Sequence, residues 1–183
     1  MPPYLVLLRG INVGGRHKVP MAALRNTLQG MGFSDVASYI ASGNVLLRSP
    51  DDAATVKARI EHALSSHFDL DDDTIQAHVV SREELRTVIA DKPAGFGEQP
   101  EKYHSDAIFL IGVDATDTIA IFDPRDGVDR VWAGAGVIYS QRLSSQRTKS
   151  RLSKIMGNPL YRSMTIRSWS TTAALWKLMQ DME

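Results

Sequence analysis

Tyr4-Leu5-Val6-Leu7-Leu8-Arg9-Gly10-Ile11-Asn12-Val13-Gly14-Gly15-Arg16-His17-Lys18-Val19-Pro20 is the stretch that decides the fold of this 183-residue chain. Residues 4–9 are a short apolar run closed by glycine, the pattern of a buried strand. Pro20 suits the first position of a helix, where its missing N–H has no partner in any case. The connection between them is then about ten residues long, where strand-to-helix loops usually take about 2–6. Such excess length in a compact domain tends to carry function. Arg9, Arg16 and Lys18 also stand near the positive end of a helix dipole, where cations are disfavoured. An anion shared between those side chains and backbone N–H groups removes the conflict.

Downstream, Met21, Leu24, Leu28 and Met31 form one helical stripe that Gly30 and Gly32 end. Residues 36–40 and 45–48 are short strands around Ser42-Gly43-Asn44, a hairpin-turn signal. Ser49-Pro50-Asp51-Asp52 predicts an N-cap, then Pro, then acids in the first turn. The helix so begun turns Val56, Ile60, Ala63, Leu64 and Phe68 inward. Ile75, Ala77 and Val79 alternate with polar neighbours as a half-buried strand. The order βαββαβ over residues 1–80 is the ferredoxin-like split βαβ unit.

Ser81-Arg82-Glu83-Glu84 is a capping box opening a helix, and residues 92–100 are rich in Pro and Gly. Residues 81–104 therefore read as a connector helix and linker. A similar order recurs over 105–183, with strands at 107–111, 128–132, 137–140 and near 164–166. A helix holding Leu152, Ile155 and Met156 stops at Gly157-Asn158-Pro159, while residues 115–122 read equally as helix or strand. A last helix from Ser168 or Ser170 buries Trp169, Ala173, Trp176 and Met179. The expected fold is α+β: two ferredoxin-like (βαββαβ) subdomains packed together, with a C-terminal helix.

These residues also carry a resemblance. Leu7-Leu8-Arg9-Gly10-Ile11-Asn12-Val13-Gly14-Gly15, then Met21 and Leu24, then Ser42-Gly43-Asn44-Val45, resemble a bacterial family catalogued as domain of unknown function 1697. Lys102-Tyr103-His104-Ser105-Asp106-Ala107-Ile108-Phe109-Leu110 and Thr165-Ile166-Arg167 extend the likeness over nearly the whole chain. It implies a shared fold and no particular activity. Where the family shows Arg-Asn-x-x-Thr, this chain has Arg167-Ser168-Trp169-Ser170-Thr171, which offers no side-chain amide at the second position.

Composition narrows the classes. The chain has no cysteine, which excludes disulfides and thiolate-held metal centres. The apolar run near the start is too short for a signal peptide or a membrane span, so a bacterial cytoplasm is the expected address. The net charge of zero hides an asymmetry. Residues 1–50 hold five Lys/Arg and one acid, residues 141–170 hold seven and none, and residues 51–140 hold eight basic and eighteen acidic residues. Segregation of this kind favours an anion-attracting face without a basic pI.

In a ferredoxin-like sheet, strands one and three are antiparallel neighbours. The Arg9 end of strand one then lies beside Asn44. On that geometry Arg9, Asn12, Gly14, Gly15, Arg16, Lys18, Ser42 and Asn44 share one rim, a set that suits a phosphate or carboxylate. Arg167, ahead of the last helix, joins them as a ligand-binding candidate. Asn12, Ser42 and Asn44 serve equally as turn residues that bond nearby backbone. Asp69 to Asp73 emerges at the same end with calcium-loop spacing, but Thr74 replaces the turn glycine and Val80 the needed glutamate. It reads as a solvated helix terminus. The Ser and Thr residues of 144–151 read as N-caps.

His62 and His67 fall on different helix faces, which leaves His17 and His104 as acid–base candidates. No Walker loop, Rossmann fingerprint or nucleophile elbow occurs, and neither metal nor cofactor is expected. The leading reading is an uncharacterised soluble protein that binds an anionic ligand, a nucleotide or nucleic acid phosphate, through the Arg9 to Lys18 loop. One alternative is an enzyme on a small phosphorylated or carboxylated substrate, with Arg9 and Lys18 as anchors and His104 or His17 as acid–base. Another is a structural or interaction protein without a ligand. No membrane partner is expected, and the oligomeric state stays open. An aromatic stacking platform for RNA is disfavoured, because the middle strands read Leu5-Val6-Leu7-Leu8 and Val45-Leu46-Leu47.

Overall fold

The computed structural model describes residues 1–70 and 75–182. β1 (Pro3–Arg9) is apolar at every position from Tyr4 to Leu8, and all five are buried. A strand buried on both faces takes the middle of a sheet. β1 accordingly pairs with β3 (Asn44–Arg48) on one side and β4 (Gln76–Ser81) on the other. β2 (Ser34–Tyr39) completes a four-stranded sheet of order β2-β3-β1-β4, antiparallel at each pairing. Tyr4, Val6 and Leu8 meet Leu24 and Leu28 of α1 (Met21–Gly30) and Val56, Ile60 and Leu64 of α2 (Ala53–His67) in one core. Each of those leucines removes enough apolar surface from water to contribute about 1.5–3 kcal/mol. Gly32, at φ +91°, ends α1, and the N–H groups of Met31 and Phe33 fold back onto the carbonyl of Leu28.

Ser49 does not cap α2. It is fully buried and its Oγ accepts from the Asp51 N–H, whereas Asp52 caps the helix by accepting from the Thr55 N–H at 2.8 Å. The expected helix start moves by three residues because an exposed carboxylate, not a buried hydroxyl, reaches the first turn. The capping box at α3 (Arg82–Ala90) forms: the Glu84 N–H donates to Ser81 Oγ, and the Glu84 carboxylate accepts from the Ser81 N–H at 2.7 Å. Asp71, Asp72, Asp73 and Thr74 lie outside the described residues.

β5 (Tyr103–Leu110), β6 (Asp129–Ala133), β7 (Val137–Leu143) and β8 (Met164–Ser168) form a second antiparallel sheet of order β6-β7-β5-β8. The segment that read as helix or strand is helical: α4 (Ala115–Thr118), capped by Asp114, runs into a 3-10 turn at Ile119–Ile121. The helix expected around Leu152 is instead a chain of 3-10 turns, Ser144–Lys149, Leu152–Gly157 and Pro159–Ser163. Gly157 and Pro159 leave too little uninterrupted chain for an α-helix. The spacing of three between buried Leu152 and Ile155 fits the tighter turn, and Met156 faces solvent. α5 (Trp169–Gln180) closes the chain, its start capped by Ser168. Its buried stripe is Thr172, Leu175 and Met179, so Ala173 is exposed and Trp169 and Trp176 are only half-buried.

The fold is therefore mixed α+β, with two four-stranded antiparallel sheets and a C-terminal helix. Contacts divide the chain into a first unit, Met1–Leu85 with Lys177–Glu183, and a second, Arg86–Trp176. Phe96, from the Pro/Gly-rich segment, is core in the second unit at 1% exposure. It meets Trp132, Tyr139 and Trp169 edge-on, with centroids 5.9, 5.3 and 5.1 Å away. Gly97 follows at φ +75°, and a Cβ there would stand 2.2 Å from the Trp169 ring. Among the described residues no helix is long and apolar enough to cross a membrane.

Candidate functional site

Register brings two loops to one end of the first sheet. Leu7 lies opposite Asn44 on β3, and Arg9 opposite Gln76 on β4. The Leu8 N–H donates to the Gly43 carbonyl at 2.8 Å, so the segment leaving β1 runs beside the β2–β3 turn. That segment is itself a small hairpin. The Asn12 N–H donates to the His17 carbonyl and the Arg16 N–H to the Val13 carbonyl, both at 3.0 Å. Gly14 and Gly15, at φ +58° and +75°, hold the two central turn positions. Positive φ at both is the type I′ arrangement, which a Gly-Gly pair adopts without a Cβ clash.

Asn12 is the strut of this hairpin. Its Nδ2 donates to the carbonyls of Val19 (3.0 Å) and Ala41 (2.9 Å), and its Oδ1 accepts from the Val19 N–H at 2.8 Å. Ile11 and Val19 are buried in the first unit's core and pin the two feet. Asn44 is 0% exposed and donates to the Tyr39 carbonyl and Ser42 Oγ, inside the turn. Both amides singled out in the sequence thus face inward as supports, and Ser42 stays at the surface as an acceptor.

Outward stand Val13, Gly14, Gly15, Arg16 and Lys18, all exposed, with Arg9 half-buried at the base. Among the described residues no acid forms an ion pair with Arg16 or Lys18. Ile40, in the facing turn, is 54% exposed and Val13 64%. Ile40 also sits at φ +50°, a conformation that costs an L residue about 1–2 kcal/mol. Four non-glycine residues have positive φ, and three of them, Asn12, His17 and Ile40, belong to this rim. Strain gathered at one edge and held there by buried anchors is a mark of functional sites.

The rim also meets the start of α1. Pro20 offers no side-chain cap and the first turn holds no acid. The first intrahelical bond runs from the Leu24 N–H to the Pro20 carbonyl, so the N–H groups ahead of it remain at the positive end of the helix. His17 presents less than the sequence suggested. Its Nδ1 is closed to solvent and has no hydrogen-bond partner among the described residues.

The remaining two candidates belong to the second unit. His104 on β5 is 46% exposed, and its Nε2 stands 3.1 Å from Asp106 Oδ2. Burial raises the Asp106 carboxyl above its ordinary range, while His104 and Arg142 pull it down. Asp106 went unnoticed in the sequence, although His-x-Asp on a strand puts both side chains on one face. Arg167 on β8 is 8% exposed and donates to Thr165 Oγ1 and the Ile166 carbonyl, each at 2.9 Å. Burial pushes its guanidinium down to about 10. It stays charged at neutral pH as a buried part of the second sheet.

A family model described as "Protein of unknown function (DUF1697)" matches residues 1–139. The chain is also similar to a solved structure of a conserved bacterial protein from Streptococcus pneumoniae. The two share 27% identity and a TM-score of 0.80, over 97% of this chain and 98% of that one. No curated protein matches.

Proposed function

The chain belongs to the DUF1697 family, and from that premise we propose that its first unit binds nucleic acid phosphate through the Arg9 to Lys18 hairpin. The observation that carries this reading is the strained rim. Three left-handed non-glycine residues hold a solvent-facing tip whose two cations have no acidic partner among the described residues. Arg16 and Lys18 would lie along consecutive phosphates, with the N–H groups at the start of α1 available to a third oxygen. Val13 and Ile40 supply apolar contact beside them, suited to a sugar or base edge. A tip that is exposed at every residue from Asn12 to Arg16 suits an extended polyanion better than an enclosed small anion.

Within the same proposal, residues 1–80 and 105–183 are two ferredoxin-like halves joined by 81–104. The shared strand order of the two sheets supports that reading. The functional part is tested by anisotropy titration at low salt against inorganic phosphate, a mononucleotide, and single-stranded and duplex oligonucleotides. Oligonucleotides should bind, and the mononucleotide should bind far more weakly. Equal affinity for mononucleotide and oligonucleotide would favour a small-anion site, and no binding to any of them would remove the proposal.

A further inference from the structure

The second unit contains a cavity of about 170 Å³ that the hairpin reading does not use. Its floor is one face of the second sheet: Asp106 and Ile108 of β5, Ser140 and Arg142 of β7, and Ile166 of β8. Phe122, Leu152 and Ile155 wall it from the 3-10 side. Register orders these groups into an apolar part and a charged part. Ile108 lies opposite Ile166, Asp106 opposite Ser140, and His104 opposite Arg142. His104 and Arg142 therefore stand side by side at one end, two residues beyond the apolar floor.

Charge at that end is unevenly matched. Asp106 Oδ2 is taken by His104. Asp129, opposite Arg142 on β6, is buried, and its Oδ2 accepts the N–H groups of Arg125 and Arg151. On the wall side, Arg151 and Lys154 are both paired with Asp123. Among the described residues Arg142 has neither a side-chain hydrogen bond nor an ion pair. A protonated His104 has one ring nitrogen on Asp106 and the other free to donate.

We propose that this cavity binds a small monocarboxylate with an apolar tail, its carboxylate shared by Arg142 and His104 and its tail lying against Ile108, Phe122 and Ile155. The raised Asp106 carboxyl fits a pocket poor in water. An amine would set its ammonium against Arg142, and an alcohol would leave the guanidinium without a counter-charge. The volume corresponds to roughly six waters at ~30 Å³ each, which suits acids of about six to eight non-hydrogen atoms. Butanoate and hexanoate fall in that range. The inference stands apart from the hairpin reading and survives its failure.

The test is a methyl-labelled NMR titration of the full chain with butanoate and hexanoate, and with hexan-1-ol and hexylamine as controls. Hexanoate should shift the methyls of Ile108, Ile155 and Ile166 saturably, with Met156 responding at the mouth. Hexanol and hexylamine should bind about tenfold more weakly or worse, as loss of a charge-assisted pair implies. Arg142→Gln should abolish that preference while leaving the hexanol affinity unchanged. If Arg142→Gln does not fold, His104→Gln at the surface provides the same comparison. Hexanol binding as tightly as hexanoate, hexylamine binding more tightly, or no methyl shift at millimolar hexanoate would each overturn the proposal.

Discussion

Replacing Asn12 by alanine should unfold the hairpin and destabilise the first unit by roughly 2–4 kcal/mol. The figure follows from three bonds. The Val19 N–H, in a fully buried residue, loses its acceptor, and an unsatisfied buried donor costs about 1–3 kcal/mol. The carbonyls of Val19 and Ala41 each lose a donor, worth about 0.5–1.5 kcal/mol apiece. Alanine at φ +54° adds a backbone cost that asparagine largely escapes. Partial relaxation toward water brings the sum down to the stated range. Thermal unfolding should then drop by roughly 5–15 °C, at about 2–4 °C per kcal/mol. Hydrogen exchange at the Val19 and Arg16 amides should quicken. Asn12→Asp makes a sharper companion. Its carboxylate keeps the Val19 bond but faces two carbonyls that need a donor, so it should recover stability as the pH falls and the carboxyl protonates. A loss under ~0.5 kcal/mol in Asn12→Ala, the size of an ordinary surface change, would refute the strut.

Further expectations concern both units. Gly97→Ala should cost roughly 2–4 kcal/mol, because a Cβ meets the Trp169 ring at a left-handed φ, and calorimetry will read it. Tyr139 donates to the Val88 carbonyl at 2.6 Å, so Tyr139→Phe should cost about 1–2 kcal/mol at neutral pH. Burial, aided by Asp91, pushes the Tyr139 hydroxyl up to about 12. The unfolded chain therefore ionises first, near 10, and stability should fall as pH rises from about 10 to 12 by on the order of 2 kcal/mol, a loss that denaturant titrations should not find in Tyr139→Phe. Burial also holds the His78 imidazole below its ordinary range, with Lys57 adding to the effect and Glu84 opposing it. The unfolded chain then takes up the proton first, so stability is complete above about pH 6.5 and falls as the pH drops toward the depressed folded value. His78→Gln should flatten that limb in unfolding curves taken across pH.

How much of this was legible in the sequence depends on how local the cause is. The continuous apolar run of β1 and the turn at Ser42-Gly43-Asn44 set the sheet order, and the sheet order brings the two loops to one rim. The capping box at Ser81 to Glu84 reads directly, because its two residues are three apart and bond each other. The hairpin inside the long loop was missed although Val13-Gly14-Gly15-Arg16 has the two-glycine signature of a tight turn. Its other half rests on Asn12 reaching Ala41, a partner 29 residues away that spacing does not reveal. Phe96 reads as linker for the same reason, since Trp132, Tyr139 and Trp169 come from distant strands and a helix. The basic run from 141 to 170 reads as free charge. In the fold, Arg151 and Lys154 pair with Asp123, and Arg167 is buried. Counting charges along the chain does not register pairing of that kind.

Salt titration of oligonucleotide binding, in wild type and in the Arg16→Ala/Lys18→Ala variant, tests the hairpin most directly. The variant should keep its stability within ~0.5 kcal/mol, because both side chains are exposed and Lys18 and Arg16 precede a helix whose dipole disfavours them. Wild-type affinity should fall linearly on a log–log plot against salt. The variant should bind more weakly, with a slope shallower by about 1.4–1.8 for two lost phosphate contacts. Absence of wild-type binding at low salt, or identical affinities and slopes in the two proteins, would contradict the assignment of the hairpin as a phosphate-binding element.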